Sequence, residues 1–356
     1  MRSDRKAVVK ILALQRESHV APGMSSLSVA ARVTEVLDYL EACGRVEYAS
    51  IAENDPCAER GVEWADILVL SKHNSSQALR LALFAKSKGV GVIYDIDDWI
   101  FSFPEYSGGK AKNDSGFSRE IINIADWVTV ANDVLLKKIG SVMPEIAPTL
   151  LPNGMWVEKY CSTPDISVDE ATPPRIVFTN ADFLKMQHGK EMLLCALQVF
   201  FIRHPDYILD FFGDPFPEMF SLPFMHFTNR IPYSDYMHSL VAGGYQFAIT
   251  PLGGEEDSAA ADFNACKNPF KYLNYGTAMV PGIYSNAVIY KNCIQPGETG
   301  LLIENEFDTW CEALEQMAGD QSLRTKIRAT AYEDVRTNFH ISKSAEALSE
   351  IIEQLI

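Results

Sequence analysis

The sequence predicts an α/β protein made of two doubly wound parallel-sheet domains. Three observations carry this. Short β-branched or apolar runs alternate with longer amphipathic stretches from the start; the alternation halts in a polar, proline-bearing segment and then resumes; and 356 residues exceed the usual length of one domain. Strand, helix and strand at this rhythm imply parallel sheets covered on both faces.

In the first half, strands are expected at Val8 to Leu14, Val46 to Ile51, Ala65 to Ser71, Val90 to Ile96, Trp127 to Asn132 and Thr149 to Pro152. Amphipathic helices are expected at Ser26 to Cys43, Ser75 to Lys88 and Asp133 to Val142. Residues 159–174, with Thr163-Pro164 and Thr172-Pro173-Pro174, read as a linker between a domain at 1–158 and one at 175–340. After it come strands Arg175 to Asn180, Tyr207 to Phe212, Tyr245 to Pro251 and Met279 to Ser285. They alternate with helices Gly189 to His204, Tyr233 to Val241, Phe270 to Ala278 and Phe307 to Ala318. A long helical pattern runs from Leu323 to Ile356, and its last part, 341–356, is expected as a closing helix that crosses back to the first domain. Ligands of such sheets lie outside the carboxyl ends of the strands, so a cleft between two facing domains is the expected site.

Composition narrows the function. A hydrophobic fraction of 47% and a charged fraction of 22% are globular values. The net charge of −16 disfavours a nucleic-acid binder, which needs a basic face to displace counterions. The acidity is uneven: residues 1–155 hold 17 of the 31 Lys and Arg but 20 of the 47 acids, leaving that half at −3 and the rest at −13. The near-neutral first half leaves peripheral contact with the inner face of a membrane open. Seven cysteines without metal-ligand spacing fit reduced thiols and a cytoplasmic location. The opening apolar stretch is interrupted by Lys10 and reads as a buried strand, and no run of 18 apolar residues follows. The histidines show no paired spacing, so no metal is expected.

The most informative stretch is Asp262 to Gly276. Asn268-Pro269 is a helix-start signal, with Asn as the cap and Pro in the first turn. Lys271 then sits in that turn, where a cation opposes the helix dipole unless an anion lies in front of it. Asn264 and Lys267 feed this helix, and Asn274 lies one turn beyond Lys271 on the same face. The residues converge on an anionic ligand, against the plainer reading of an ordinary helix with solvated lysines.

A second cluster, Tyr94-Asp95-Ile96-Asp97-Asp98-Trp99, follows the apolar run Val90 to Ile93. Carboxylates this close repel and raise at least one pKa unless a cation or hydrogen bonds intervene. Acceptor contact, general-base catalysis, metal binding and simple turn capping all fit. The loop Ala21 to Ser26 contains Gly23, which permits close backbone approach to a ligand. The acidic run Gly253 to Ser258 reads as a solvated loop.

Several stretches in order resemble a GT-B glycosyltransferase, close to the retaining family 4 type of bacterial polysaccharide biosynthesis. They are Leu151-Pro152-Asn153-Gly154, Gly189-Lys190-Glu191, Asp210 to Asp214, Ile249-Thr250-Pro251-Leu252, Asn264 to Gly276 and Pro296 to Leu302. The resemblance implies two Rossmann-like domains. It further implies transfer of a hexose-like sugar from a nucleoside diphosphate sugar, the donor substrate, to a glycan or lipid-linked acceptor, without cofactor or metal. It assigns the donor diphosphate to Lys185, Lys190, Lys267 and Lys271, with Gly23 and Asn264 nearby. It assigns the ribose to Asn274 and the acceptor to Asp97 and Asp98. The family's two glutamates near this helix are replaced by Cys266 and Asn274, and an amide supplies no charge to a ribose.

Two other readings compete. One is a catalytically degenerate, nucleotide-binding scaffold of the same fold, motivated by the missing glutamates. The other is a metal-dependent phosphohydrolase using Asp95 and Asp97, which lacks the Thr or Val expected after the second aspartate.

Overall fold

The computed structural model describes residues 8–18, 21–102, 116–162, 173–180, 189–252 and 258–356. By contact the chain divides into two compact units. The first takes the residues up to Ser102, those leading to Gly154 and the final stretch Ile341–Ile356; the second is Met155–His340.

In the first unit the strands are β1 (Val9–Gln15), β2 (Glu17–Ser18), β3 (Ala21–Ser25), β4 (Val46–Ala52), β5 (Ile67–Ser71), β6 (Gly91–Ile96), β7 (Trp127–Val130) and β8 (Thr149–Leu150). Six of them form a parallel sheet in the order β4-β1-β5-β6-β7-β8. Their centres are almost wholly apolar: Ile11, Leu12, Leu68, Val92 and Ile93 are buried, as expected of strands covered on both faces. The β1-to-β4 crossover is a helix over Leu27–Ala42, and it contains a π-helical turn at Ala30–Thr34. Such turns carry an extra residue and recur at functional sites.

The second unit has β9 (Arg175–Asn180), β10 (Ile208–Gly213), β11 (Met225–Thr228), β12 (Phe247–Thr250), β13 (Gly282–Ser285) and β14 (Leu301–Ile303). These pair in parallel in the order β11-β10-β9-β12-β13-β14. Its core packs Phe178, Phe211 and Phe247 of the sheet against Leu197 and Phe200 of helix Lys190–Arg203 and Trp310 of helix Phe307–Gly319. The expected doubly wound architecture is therefore present twice.

The strand orders locate the two places where ligands of such sheets bind. Connections leave in opposite directions from β1 and β5 in the first sheet and from β9 and β12 in the second, opening a crevice at each pair's carboxyl ends.

Several details depart from the sequence reading. The stretch Ala21 to Ser26 is not a plain loop: β3, which includes Gly23, pairs antiparallel with β2 before the helix starts. Helices Ala58–Trp64, Gly116–Ile124 and Ser258–Ala265 and strands β11 and β14 are additional. These are short, and β11 is an edge strand whose mixed burial leaves no apolar run to read. The long closing pattern is two helices, Gln321–Asn338 and Ile341–Leu355, broken at Phe339 and His340. Helix Val157–Tyr160 precedes and overlaps the start of the expected linker, and residues 163–172 of that linker lie outside the described residues.

Candidate functional site

The first unit's candidate site begins with β6. Asp95 lies inside this strand, not beyond it, and is 1% exposed. Arg32, on the π turn, donates through Nε to Asp95 Oδ2 at 3.1 Å and through Nη2 to Oδ1 at 2.6 Å. Thr129 donates to Asp95 Oδ1 at 2.8 Å and Ser71 to Oδ2 at 3.3 Å. Burial alone would lower the Arg32 pKa, but the charge of Asp95 outweighs it and holds the guanidinium above its ordinary value. Asp95 is thus the anchor of a satisfied buried network. For it to act as a metal ligand or a nucleophile, the Arg32 pair would have to break, which counts against the phosphohydrolase reading.

Asp97 and Asp98 follow directly after β6. Of the two means of relief the sequence reading allowed, a cation or hydrogen bonds, a cation is present: Lys72, whose Nζ lies 2.5 Å from Asp97 Oδ1 and 3.0 Å from Asp98 Oδ2. Asp97 is 3% exposed through its side chain and Asp98 28%, so Asp98 is the carboxylate that reaches solvent. Burial pulls the Lys72 pKa down, but Asp97 and Asp98 more than offset this and keep it raised. Lys72 stands immediately after β5 with φ of 50°, in the left-handed region. His73 beside it is fully buried, and its Nδ1 accepts from the Ser71 amide at 3.1 Å. Burial, together with the charge of Arg16, pushes the His73 pKa down to about 3, so the ring is neutral at ordinary pH.

In the second unit the helix carrying Lys271 is Phe270–Thr277. Its cap is Pro269, with no side-chain bond, and not Asn268; the start signal was right within one residue. Lys271 occupies the first turn and is half-buried, as is Lys267, whose Nζ sits 4.4 Å above the Phe263 ring. Asn264 is buried, and its carbonyl accepts from the Lys267 amide at 3.1 Å. Asn274 is also buried, and its Oδ1 accepts from the Tyr233 hydroxyl at 2.8 Å. Lys190 opens helix Lys190–Arg203 and pairs with Glu218 at 3.1 Å. Lys185 lies outside the described residues, as do residues 253–257 of the acidic run.

Two features position this helix. Gly276 lets it approach helix Gln321–Asn338 closely: a Cβ there would stand 2.6 Å from Val335 Cγ2 and 3.1 Å from the Ala331 carbonyl. Tyr275 donates to Thr179 Oγ1 at 3.1 Å, and Thr179 shares a hydrogen bond with the Tyr236 hydroxyl at 3.0 Å, tying the helix to the end of β9. Burial pushes the Tyr275 pKa up to about 12, so the phenol keeps its proton.

Asp97 and Asp98 therefore belong to one unit, and Lys190, Asn264, Lys267, Lys271 and Asn274 to the other. The sequence reading missed Arg32, Lys72, Thr179, Tyr236 and Tyr275. Arg32 left a trace, a lone cation in Val29-Ala30-Ala31-Arg32-Val33, and Lys72 another, a basic residue that follows the apolar run Ile67-Leu68-Val69-Leu70 and Ser71.

No protein-family model matches the sequence, and no curated protein matches it. Solved structures do. HepE of Anabaena in complex with UDP-glucose is 15% identical with a TM-score of 0.65, covering 97% of this chain and 99% of that one. An alpha-glucosyltransferase in complex with UDP-glucose and DNA containing an abasic site is 13% identical with a TM-score of 0.68, covering 97% and 99%. Sucrose-phosphate synthase of Thermosynechococcus elongatus is 14% identical with a TM-score of 0.61, covering 98% and 99%. Identities this low speak to architecture. With two six-stranded parallel sheets in one chain and likeness spanning both, this protein has the GT-B fold of two Rossmann-like domains.

Proposed function

We propose that the chain is a metal-independent, retaining glycosyltransferase of the family 4 type. It would move a hexose-like sugar from a nucleoside diphosphate sugar to a glycan or lipid-linked acceptor, in the cytoplasm or at the inner face of a membrane. The observation that carries this reading is likeness over nearly the full length of both chains to structures holding UDP or UDP-glucose.

The chemistry asks two things of the protein: charge stabilisation for the departing diphosphate and a fixed acceptor hydroxyl. As the reaction proceeds, the bond from the anomeric carbon to the diphosphate oxygen breaks, a bond to the acceptor oxygen forms, and the acceptor's hydroxyl proton passes to the departing diphosphate or to water. In this reading Lys271, Lys267 and Lys190, with the amides opening helix Phe270–Thr277, receive the diphosphate. Lys185 and Gly23 join them by resemblance, Asn264 and Asn274 flank the nucleoside, and Asp98 with Asp97 accepts hydrogen bonds from the acceptor.

A second reading has its own observation. Asn274 stands where the family carries a glutamate, and its Oδ1 is already engaged by Tyr233. A nucleotide-binding protein without turnover would show this. A thermal-shift screen of nucleoside diphosphates and their sugars tests both, because a ligand bound only to the native state raises Tm. Stabilisation with release of free nucleoside diphosphate supports the transferase, stabilisation without turnover supports the binding protein, and no shift from any nucleotide removes both.

A further inference from the structure

Arg16 is the first residue beyond β1, at the carboxyl end where the crevice of the first sheet opens. Two bonds fasten it to the residue that starts the crossover helix: its carbonyl accepts from the Ser26 amide at 2.9 Å, and its Nη2 donates to Ser26 Oγ at 3.1 Å. The guanidinium is therefore held at the mouth of helix Leu27–Ala42.

That is an unfavourable place for a cation. A helix start carries partial positive charge, because its first amides have no carbonyl to meet. Here the first intrahelical donor is Ala30, whose amide reaches the Ser26 carbonyl at 3.1 Å, so the amides of Leu27, Ser28 and Val29 precede it. A serine at this position normally caps such amides, but Ser26 makes no side-chain cap bond, and its hydroxyl oxygen serves Arg16 instead. Two positive groups thus lie side by side.

The protein supplies no negative charge to answer them. Arg32, the other arginine of this crossover, is 1% exposed through its side chain and is met by Asp95, the Leu151 carbonyl and Asn153. Arg16 is half-buried, and among the described residues its guanidinium has no carboxylate partner and no hydrogen bond beyond Ser26; its Nε is buried with no partner. Its charge is felt by Lys72 and His73 beyond β5, where it disfavours protonation of each. An unmatched guanidinium beside unmatched helix amides is an arrangement that receives an oxyanion. Phosphate suits it better than a carboxylate, because its several oxygens can take the planar fork and the amides together.

We propose that Arg16 and the opening of helix Leu27–Ala42 bind a phosphate group carried by the acceptor. This rests on the reading of the first unit as the acceptor side, and it narrows the acceptor to a phosphorylated sugar or lipid. The donor diphosphate is the rival occupant, since Gly23 lies close by in sequence, and the test includes it for that reason.

The full chain is titrated with glucose 6-phosphate, glucose and UDP by calorimetry, and with phosphatidylcholine vesicles, with and without phosphatidic acid, by sedimentation. The wild type binds glucose 6-phosphate more tightly than glucose, or binds vesicles only when they hold phosphatidic acid; the two arms tell a sugar phosphate from a lipid phosphate. Arg16→Gln, which keeps a polar side chain without the charge, weakens that binding by about tenfold or more. Arg16→Lys, a charge without the fork, loses less. Ser26→Ala, which unfastens the guanidinium from the helix, loses about threefold and replaces Arg16→Gln should that variant not fold. UDP does not displace the phosphate probe, and its affinity is the same in every variant. Phosphate binding by folded Arg16→Gln as tight as in the wild type overturns the inference, as does a wild type that binds neither phosphate probe; UDP binding is untouched by both results, so the transferase reading survives them. Displacement of the phosphate probe by UDP, with UDP affinity lowered in Arg16→Gln, also overturns the inference and gives the site to the donor. A wild type that binds a phosphate probe but not UDP removes the donor reading alone.

Discussion

Arg32 Nη2 lies 2.6 Å from Asp95 Oδ1, with both side chains 1% exposed. The same guanidinium donates through Nη1 to the Leu151 carbonyl and to Asn153 Oδ1, each at 2.9 Å. One cation thus joins the crossover helix, β6 and the segment that leads out of the first unit at Gly154. Its partners are what make a buried charge tolerable there.

Removing that cation should therefore be costly. Arg32→Met leaves Asp95 buried and uncompensated and is expected to lower unfolding stability by about 3–5 kcal/mol. Urea titration measures this. A midpoint equal to that of the wild type would show that Asp95 finds another partner.

Lys271→Ala addresses the donor side. It removes a cation from the first turn of helix Phe270–Thr277, where a positive charge opposes the helix dipole, so relief of that opposition offsets part of what the fold loses. Affinity for UDP should fall about tenfold or more. Calorimetry with UDP and a melting curve separate the two effects.

Acid stability should depend on His73. Its folded pKa is about 3 against an ordinary 6.5. As pH falls below 6.5 the unfolded chain takes up a proton that the folded chain refuses, so stability is lost over this window. The loss from this one group is about 2 kcal/mol between pH 6.5 and pH 5. His73→Asn, whose amide oxygen can still accept from Ser71, should lack this component. Unfolding curves at pH 7 and pH 5 for both proteins reveal the difference.

Gly276→Ala probes helix placement. The added methyl meets Val335 Cγ2 at 2.6 Å and a backbone carbonyl at 3.1 Å, and the backbone atom cannot swing away. A destabilisation of about 1–3 kcal/mol is expected, the usual cost of overpacking. Unchanged stability would mean the two helices separate easily.

What was legible in the sequence follows the strength of each local signal. Strands β1, β5, β6 and β9 are near-continuous apolar runs, and their alternation with amphipathic helices identified the architecture because buried parallel strands leave that mark. β11 escaped notice because an edge strand needs no apolar run. At the sites, Asp97, Asp98 and Lys271 stood out by their position at element ends. Lys72 did not, because its role depends on β5 lying beside β6, and two residues so far apart in sequence meet only through sheet order. Arg32 and Asp95 meet for the same kind of reason.

The helix Ile341–Leu355 buries Ile341, Ala345, Leu348, Ile351 and Ile352 within the first unit and lies against helix Glu35–Ala42. That unit is therefore written in the gene as two pieces with the other unit between them. On the ribosome, Met155–His340 can reach its native state while its neighbour still lacks a wall, although the neighbour began synthesis first. Vectorial synthesis is thus reversed as an order of completion, and a chaperone that guards this protein would be needed longest by the half that emerges earliest.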